Sequence, residues 1–65
     1  MTEKLLRRPA VESATGLSRS TIYEMMARED FPCPLRIGRR AVAWRESEIL
    51  AWIDDRASRE IISYR

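Results

Sequence analysis

The stretch PAVESATGLSRSTIYEMMAR, residues 9–28, decides the architecture. Pro9 suits the first position of a helix, where its missing N–H costs nothing. Residues 9–14 then place Val11 and Ala14 three apart, on one helical face. Thr15-Gly16 ends this helix, because Gly16 can enter the left-handed backbone that a helix C-terminus favours. Leu17 sits in the turn. Ser18 follows as an N-cap, its hydroxyl able to accept an orphan N–H of the next helix. Residues 19–28 form that second helix, with Ile22, Met25 and Met26 on one stripe. Arg19, Ser20, Tyr23, Glu24 and Ala27 lie away from the stripe. Two short helices joined by a Gly-containing turn make a helix-turn-helix.

The flanks extend this unit. Upstream, Leu5 and Leu6 are apolar and are expected to pack under the first helix. Downstream, Phe31-Pro32-Cys33-Pro34 stops the second helix and enforces an extended path. Residues 35–37 and 41–44 alternate about a Gly38-Arg39 turn, which predicts a hairpin with Leu35, Ile37, Val42 and Trp44 inward. A third helix starts near Glu46, and Glu46 and Glu48 complement its dipole. Ile49, Trp52 and Ile53 make its inward stripe, leaving Leu50 partly exposed. The stripe does not continue into Ile61, Ile62 and Tyr64, so residues 60–65 read as a flexible tail. The fold expected is mainly α with a small β-hairpin, a winged helix-turn-helix. It occupies residues 1–65 as one domain with its core over 5–59.

Size and composition agree. A chain of 65 residues makes one small domain, which buries only about 60% of its unfolded surface. An active-site cleft with its own supporting shell is not expected at this size. Apolar residues at 45% and charged residues at 34% suit a folded domain rather than a disordered one. There is no His and a single Cys, Cys33, which excludes an internal disulfide and a thiolate or imidazole metal site. No apolar run approaches a membrane span or a signal-peptide core. The expectation is a cytoplasmic domain, with no cofactor, no small-molecule ligand and no membrane partner.

Charge points to the partner. The net charge is only +2, but eleven of the twelve cations are Arg. From Phe31 to Arg45 there are four arginines (Arg36, Arg39, Arg40, Arg45) and no acid, whereas Glu46 to Arg65 holds five acids against three arginines. A concentrated Arg strip suits phosphate, since guanidinium stays charged and presents a planar fork of donors. A helix-turn-helix lays its second helix in the major groove with the N-terminal residues nearest the bases. Here those are Ser18, Arg19, Ser20, Thr21 and Tyr23. The helix N-terminus favours an anion, Arg19 can fork onto guanine O6 and N7, and Ser20 and Thr21 can bond base or phosphate. Tyr23 is a phosphate donor or a packing residue. Glu24 either accepts from cytosine or pairs with Arg28 one turn on. Arg39 and Arg40 at the hairpin tip can enter a minor groove or grip its phosphates, and Arg36 adds to the same strip.

Other chemistries fit less well. Asp54-Asp55 and Glu46/Glu48 lie on exposed helix faces with no pocket to shift a pKa. Tyr23 or Tyr64 as a DNA-cleaving nucleophile needs a proton-transfer partner that this His-free chain does not supply. Trp44 and Trp52 read as core rather than as stacking platforms, and Cys33 as a spectator.

The run TGLSRSTIYEMMAREDFPCPLRIGRRAVAWRESEILAWI, Thr15–Ile53, resembles the AlpA family of phage and prophage regulators, small winged-helix proteins related to MerR-like and excisionase domains. The GLSRSTIY block, the FPxP loop, the RAVAW strand and the ESEI..WI helix occur in order with family-like spacing. The resemblance covers Leu5 to about Arg59. It implies a transcriptional regulator of a mobile element, often controlling integrase or excision genes. It places Ser18, Arg19, Ser20, Thr21 and Tyr23 in the recognition helix and Arg39 and Arg40 in the wing. Trp44, Trp52 and Ile53 match structural positions. The sequence departs from the family at three places. Glu29 stands where the family usually has Gly, which implies a longer helix or an unfavourable backbone there. Cys33 replaces an often basic residue, and Leu50 an often polar one.

The expected function is sequence-specific binding of double-stranded DNA in transcriptional regulation, with residence on the nucleoid when bound. An excisionase that bends DNA for a recombinase would use the same surface. A protein-interaction module built on Leu50, Ile61, Ile62 and Tyr64 is the alternative of another class. It can coexist with DNA binding, because so small a domain reads few base pairs and gains affinity from self-association or a protein partner.

Overall fold

The computed structural model describes residues 3–59. The elements run β1 (Leu5–Leu6), α1 (Arg8–Thr15), α2 (Arg19–Ala27), β2 (Leu35–Arg36), β3 (Val42–Arg45) and α3 (Glu46–Arg59). The three strands form one antiparallel sheet in the order β1-β3-β2. The domain is thus mostly helical, with three helices and a three-stranded sheet.

The helix boundaries follow the local chemistry. Pro9 lies in the first turn of α1, and Gly16 ends the helix at φ +76°, its N–H bonded to the Glu12 carbonyl. The Ser18 side chain accepts the Thr21 N–H and caps α2. The far end of α2 lacks a glycine, and the cost falls on Glu29, which takes φ +59°. Its N–H bonds the Met26 carbonyl at 3.0 Å and the Asp30 N–H bonds the Met25 carbonyl at 2.8 Å. The turn therefore closes as a glycine would close it, with a side chain in the left-handed region.

The sheet has one strand more than expected. Leu5 and Leu6 pair with Arg45 and Trp44 rather than simply packing under α1. Only Leu6 is buried, while Leu5 faces solvent. This pairing makes β3 the central strand, and both Ala43 and Trp44 are fully buried, so both faces of the strand are covered. The expected inward face of the hairpin needs correcting. Trp44 is buried and Val42 half-buried, but Leu35 and Ile37 are exposed. β2 pairs only Leu35 with Ala43 and Arg36 with Val42. It is a two-residue edge strand, and Leu35 opens onto a groove beside α3 instead of the core. The connection is also longer than a tight turn: the Ile37 and Gly38 N–H groups both donate to the Ala41 carbonyl, at 2.9 and 3.2 Å.

The core gathers Leu6, Val11, Ile22, Phe31, Trp44 and Ile49, with Leu17, Met25, Met26, Val42, Trp52 and Ile53 against it. Phe31 is the member that the helical and strand periodicities do not reveal, since it stands in the irregular segment. Its ring meets Trp44 and Trp52 edge-on, with centroids 6.5 and 4.9 Å apart. Both indoles also anchor that segment: Trp44 Nε1 donates to the Pro32 carbonyl at 2.8 Å and Trp52 Nε1 to the Asp30 carbonyl at 3.0 Å. Arg56 extends the anchor, its guanidinium over the Trp52 ring and paired with Asp30. At the start of α3, Glu3 accepts from the Ser47 N–H and hydroxyl, and the Glu46 N–H donates to the Lys4 carbonyl. The β1 segment thereby fixes the N-terminus of α3. Residues 60–65, expected to be a tail, lie outside the described residues.

Candidate nucleic-acid interface

The N-terminal turn of α2 and the β2–β3 loop meet at one cleft, through Arg19, Tyr23 and Arg40. Ser18, Arg19, Ser20 and Tyr23 are exposed, as are Arg36, Arg39 and Arg40, while Thr21 is half-buried. Ser18 and Thr21 are occupied with each other. The Ser18 hydroxyl donates to the Thr21 hydroxyl at 3.0 Å while it accepts the Thr21 N–H at 3.2 Å. Their first role is therefore to hold the helix end, and Ser20 is the outward hydroxyl of this turn. Arg19 does not project freely: its guanidinium carbon lies 5.8 Å from the centroid of the Tyr23 ring. Glu24 and Arg28 form no ion pair among the described residues, although the Arg28 N–H still donates to the Glu24 carbonyl at 3.3 Å.

The structure brings Arg19, Tyr23 and Arg40 together with two arginines absent from the sequence-based set. Arg7, Arg8, Pro9, Arg19, Tyr23, Arg40 and Val42 line a cleft of about 400 Å³. Arg36 and Arg39 are not part of it. Arg8 donates through Nε to Glu12 at 2.9 Å. That bond first, and the Tyr23 hydroxyl second, raise its pKa above the ordinary value. Arg8 is therefore a fixed cation. Arg7, Arg19, Arg36, Arg39 and Arg40 form no ion pair among the described residues. The sequence did hold a signal for the missed pair, Arg7-Arg8 directly before Pro9. The pair becomes meaningful only once β1 carries it beside α2 and the hairpin.

A second, more open groove of about 580 Å³ lies between residues 32–35 and Glu48, Ala51 and Trp52 of α3. It shares no residue with the arginine cleft and holds the exposed Cys33. Leu50 on α3 is 56% exposed. Among the described residues, no group of three or more His, Cys, Asp or Glu is placed to hold a metal ion, and no helix is long and apolar enough to cross a membrane.

Fold and surface together define a small helical domain, built on a three-stranded sheet, that presents a cationic cleft between its second helix and its hairpin. The chain belongs to the AlpA family: residues 4–57 match the family described as prophage CP4-57 regulatory protein (AlpA). It is 39% identical over 59 residues to the DNA-binding transcriptional activator AlpA of Escherichia coli (strain K12), covering 82% of this chain and 84% of that protein. It is 46% identical over 54 residues to a protein of Enterobacteria phage P4 designated uncharacterized protein ORF88, covering 83% of this chain. The match spans 61% of the phage protein's length.

Proposed function

We propose that this chain is a sequence-specific double-stranded DNA-binding regulator of transcription carried on a phage or another mobile element. In this reading α1 and α2 work as a helix-turn-helix, α2 enters the major groove by its N-terminal turn, and the β2–β3 loop is a wing on the neighbouring groove. The DNA-binding residues are Ser18, Arg19, Ser20, Thr21, Tyr23, Arg36, Arg39 and Arg40. Ser18 and Thr21 act mainly through the helix end that they hold. No catalytic step belongs to this function. The observation that carries the reading is the cleft that gathers Arg19 of α2 and Arg40 of the β2–β3 loop, neither paired with a carboxylate among the described residues. The E. coli relative's designation as a DNA-binding transcriptional activator supports it. Control of integrase or excision genes is the regulatory role proposed.

Affinity should come largely from phosphate neutralisation. Four to six phosphate contacts give a slope of log K against log salt of about −4 to −5. That is a loss of roughly a few hundred-fold between 50 and 200 mM salt. The test is selection from a randomised duplex pool at two salt concentrations. One enriched motif with a steep salt loss supports the regulator, and regularly spaced copies of a motif turn the reading towards an excisionase-like array. A folded protein that enriches nothing and binds no duplex in a salt-dependent manner refutes it.

A further inference from the structure

The arginine cleft places Arg7 and Arg8, which precede and open α1, beside the α2 start and the hairpin loop. We propose that this cleft seats one phosphodiester group of the DNA backbone, that Arg7 and Arg8 belong to the DNA-binding surface, and that Arg19 holds phosphate rather than reading a base. The proposal rests on the DNA-binding reading above and deepens it.

Four arginines from three parts of the fold line one cleft. Glu12, on Arg8, is the one carboxylate paired with any of them among the described residues. Like charges brought together repel, and an anion between them turns the repulsion into binding. Arg8 spends Nε on Glu12, and its guanidinium has further N–H donors for an acceptor beyond that bond and the Tyr23 hydroxyl. Tyr23 orients the neighbours, with its ring against Arg19 and its hydroxyl beside Arg8. The N-terminus of α1 adds to the field, since no side chain caps it and no acid stands in its first turn.

The cleft's position identifies the anion. A helix in the major groove and a hairpin in the adjacent minor groove are separated by one phosphodiester strand. A cleft between α2 and the hairpin must then face that strand. Arg19 lies in the cleft with its guanidinium on Tyr23, so base reading passes to the exposed outward residues Ser20 and Glu24.

The test joins two measurements. The first follows Arg Nε–H signals of the wild-type chain by NMR during titration with inorganic phosphate at constant ionic strength. Arg7, Arg19 and Arg40 should shift along one saturable curve that Arg36 and Arg39 do not share. A uniform, non-saturating response of every exposed Arg overturns the seat. The second measures duplex affinity for R7Q, R7K and R19Q on a selected and a random duplex. Arg7 is exposed and its side chain caps nothing, so R7Q should fold, which circular dichroism checks. R7Q and R19Q should each weaken both duplexes by the same factor, about fivefold to tenfold, and flatten the salt slope by about 0.9. R7K should retain most of the affinity. Wild-type affinity in R7Q, or a loss in R19Q confined to the selected duplex, refutes the proposal while DNA binding stands. Saturable phosphate binding by a chain that binds no duplex refutes DNA binding while the anion seat stands.

Discussion

Replacing Glu29 with glycine should stabilise the fold, by an amount that follows from its backbone. Glu29 stands at φ +59° just beyond α2. The left-handed region costs a residue with a Cβ roughly 1–2 kcal/mol. Glycine avoids that cost but gives up about 0.5–1 kcal/mol in additional unfolded-state entropy. With the middle of each range, the net backbone gain is about 0.75 kcal/mol. For a domain of this size each kcal/mol moves the midpoint by about 4–8 °C, so Tm should rise by roughly 3–6 °C from this source. E29G also removes a negative charge beyond the C-terminus of α2, where the helix dipole disfavours it. E29A removes the same charge and keeps the Cβ, so the difference between the two variants isolates the backbone contribution. Thermal unfolding followed by circular dichroism at fixed pH and salt gives both midpoints. If E29G melts no higher than E29A, the claim that strain at this turn destabilises the fold is wrong.

Gly16→Ala is the converse change: a Cβ at Gly16 meets nothing within 4 Å, so its cost is conformational alone, about 1 kcal/mol, and Tm should fall by several degrees. Ser18→Ala should cost about 1 kcal/mol in a urea titration through the lost cap of α2. Trp44→Phe removes the bond to the Pro32 carbonyl and leaves space in a fully buried site. Its cost should be about 2–4 kcal/mol, read as a lower urea midpoint with unchanged m. Arg39→Ala and Arg40→Ala should each weaken selected and random duplexes alike and reduce the salt slope by about 0.9, measured by fluorescence anisotropy across a salt series.

Much of the architecture is legible in the sequence. Gly16 and Ser18 marked the α1–α2 turn because each solves a local problem at a helix end, a left-handed residue and an orphan N–H. The stripes of Ile22, Met25 and Met26, and of Ile49, Trp52 and Ile53, faced inward as their spacing required. The family resemblance marked Glu29 where a glycine usually stands and left a longer helix or an unfavourable backbone open; the chain takes the second, at φ +59°. Each of these is a short-range constraint, set within a few residues.

The features that the sequence does not reveal are non-local. Leu5-Leu6 is too short to announce a strand, and only its pairing with Trp44 and Arg45 makes it one. The alternation of Leu35 and Ile37 named a face but not what covers it, and an edge strand left both exposed. Phe31 became core because two tryptophans from β3 and α3 close over its segment. The same holds for the surface. The sequence by itself determined the helix ends, the apolar stripes and the stock of arginines, because those follow from residue type and spacing. Only the tertiary structure decided which arginines meet. Arg7 and Arg8 stand 11 or more positions from Arg19 and 32 or more from Arg40, and β1 pairing beside β3 brings them to one cleft.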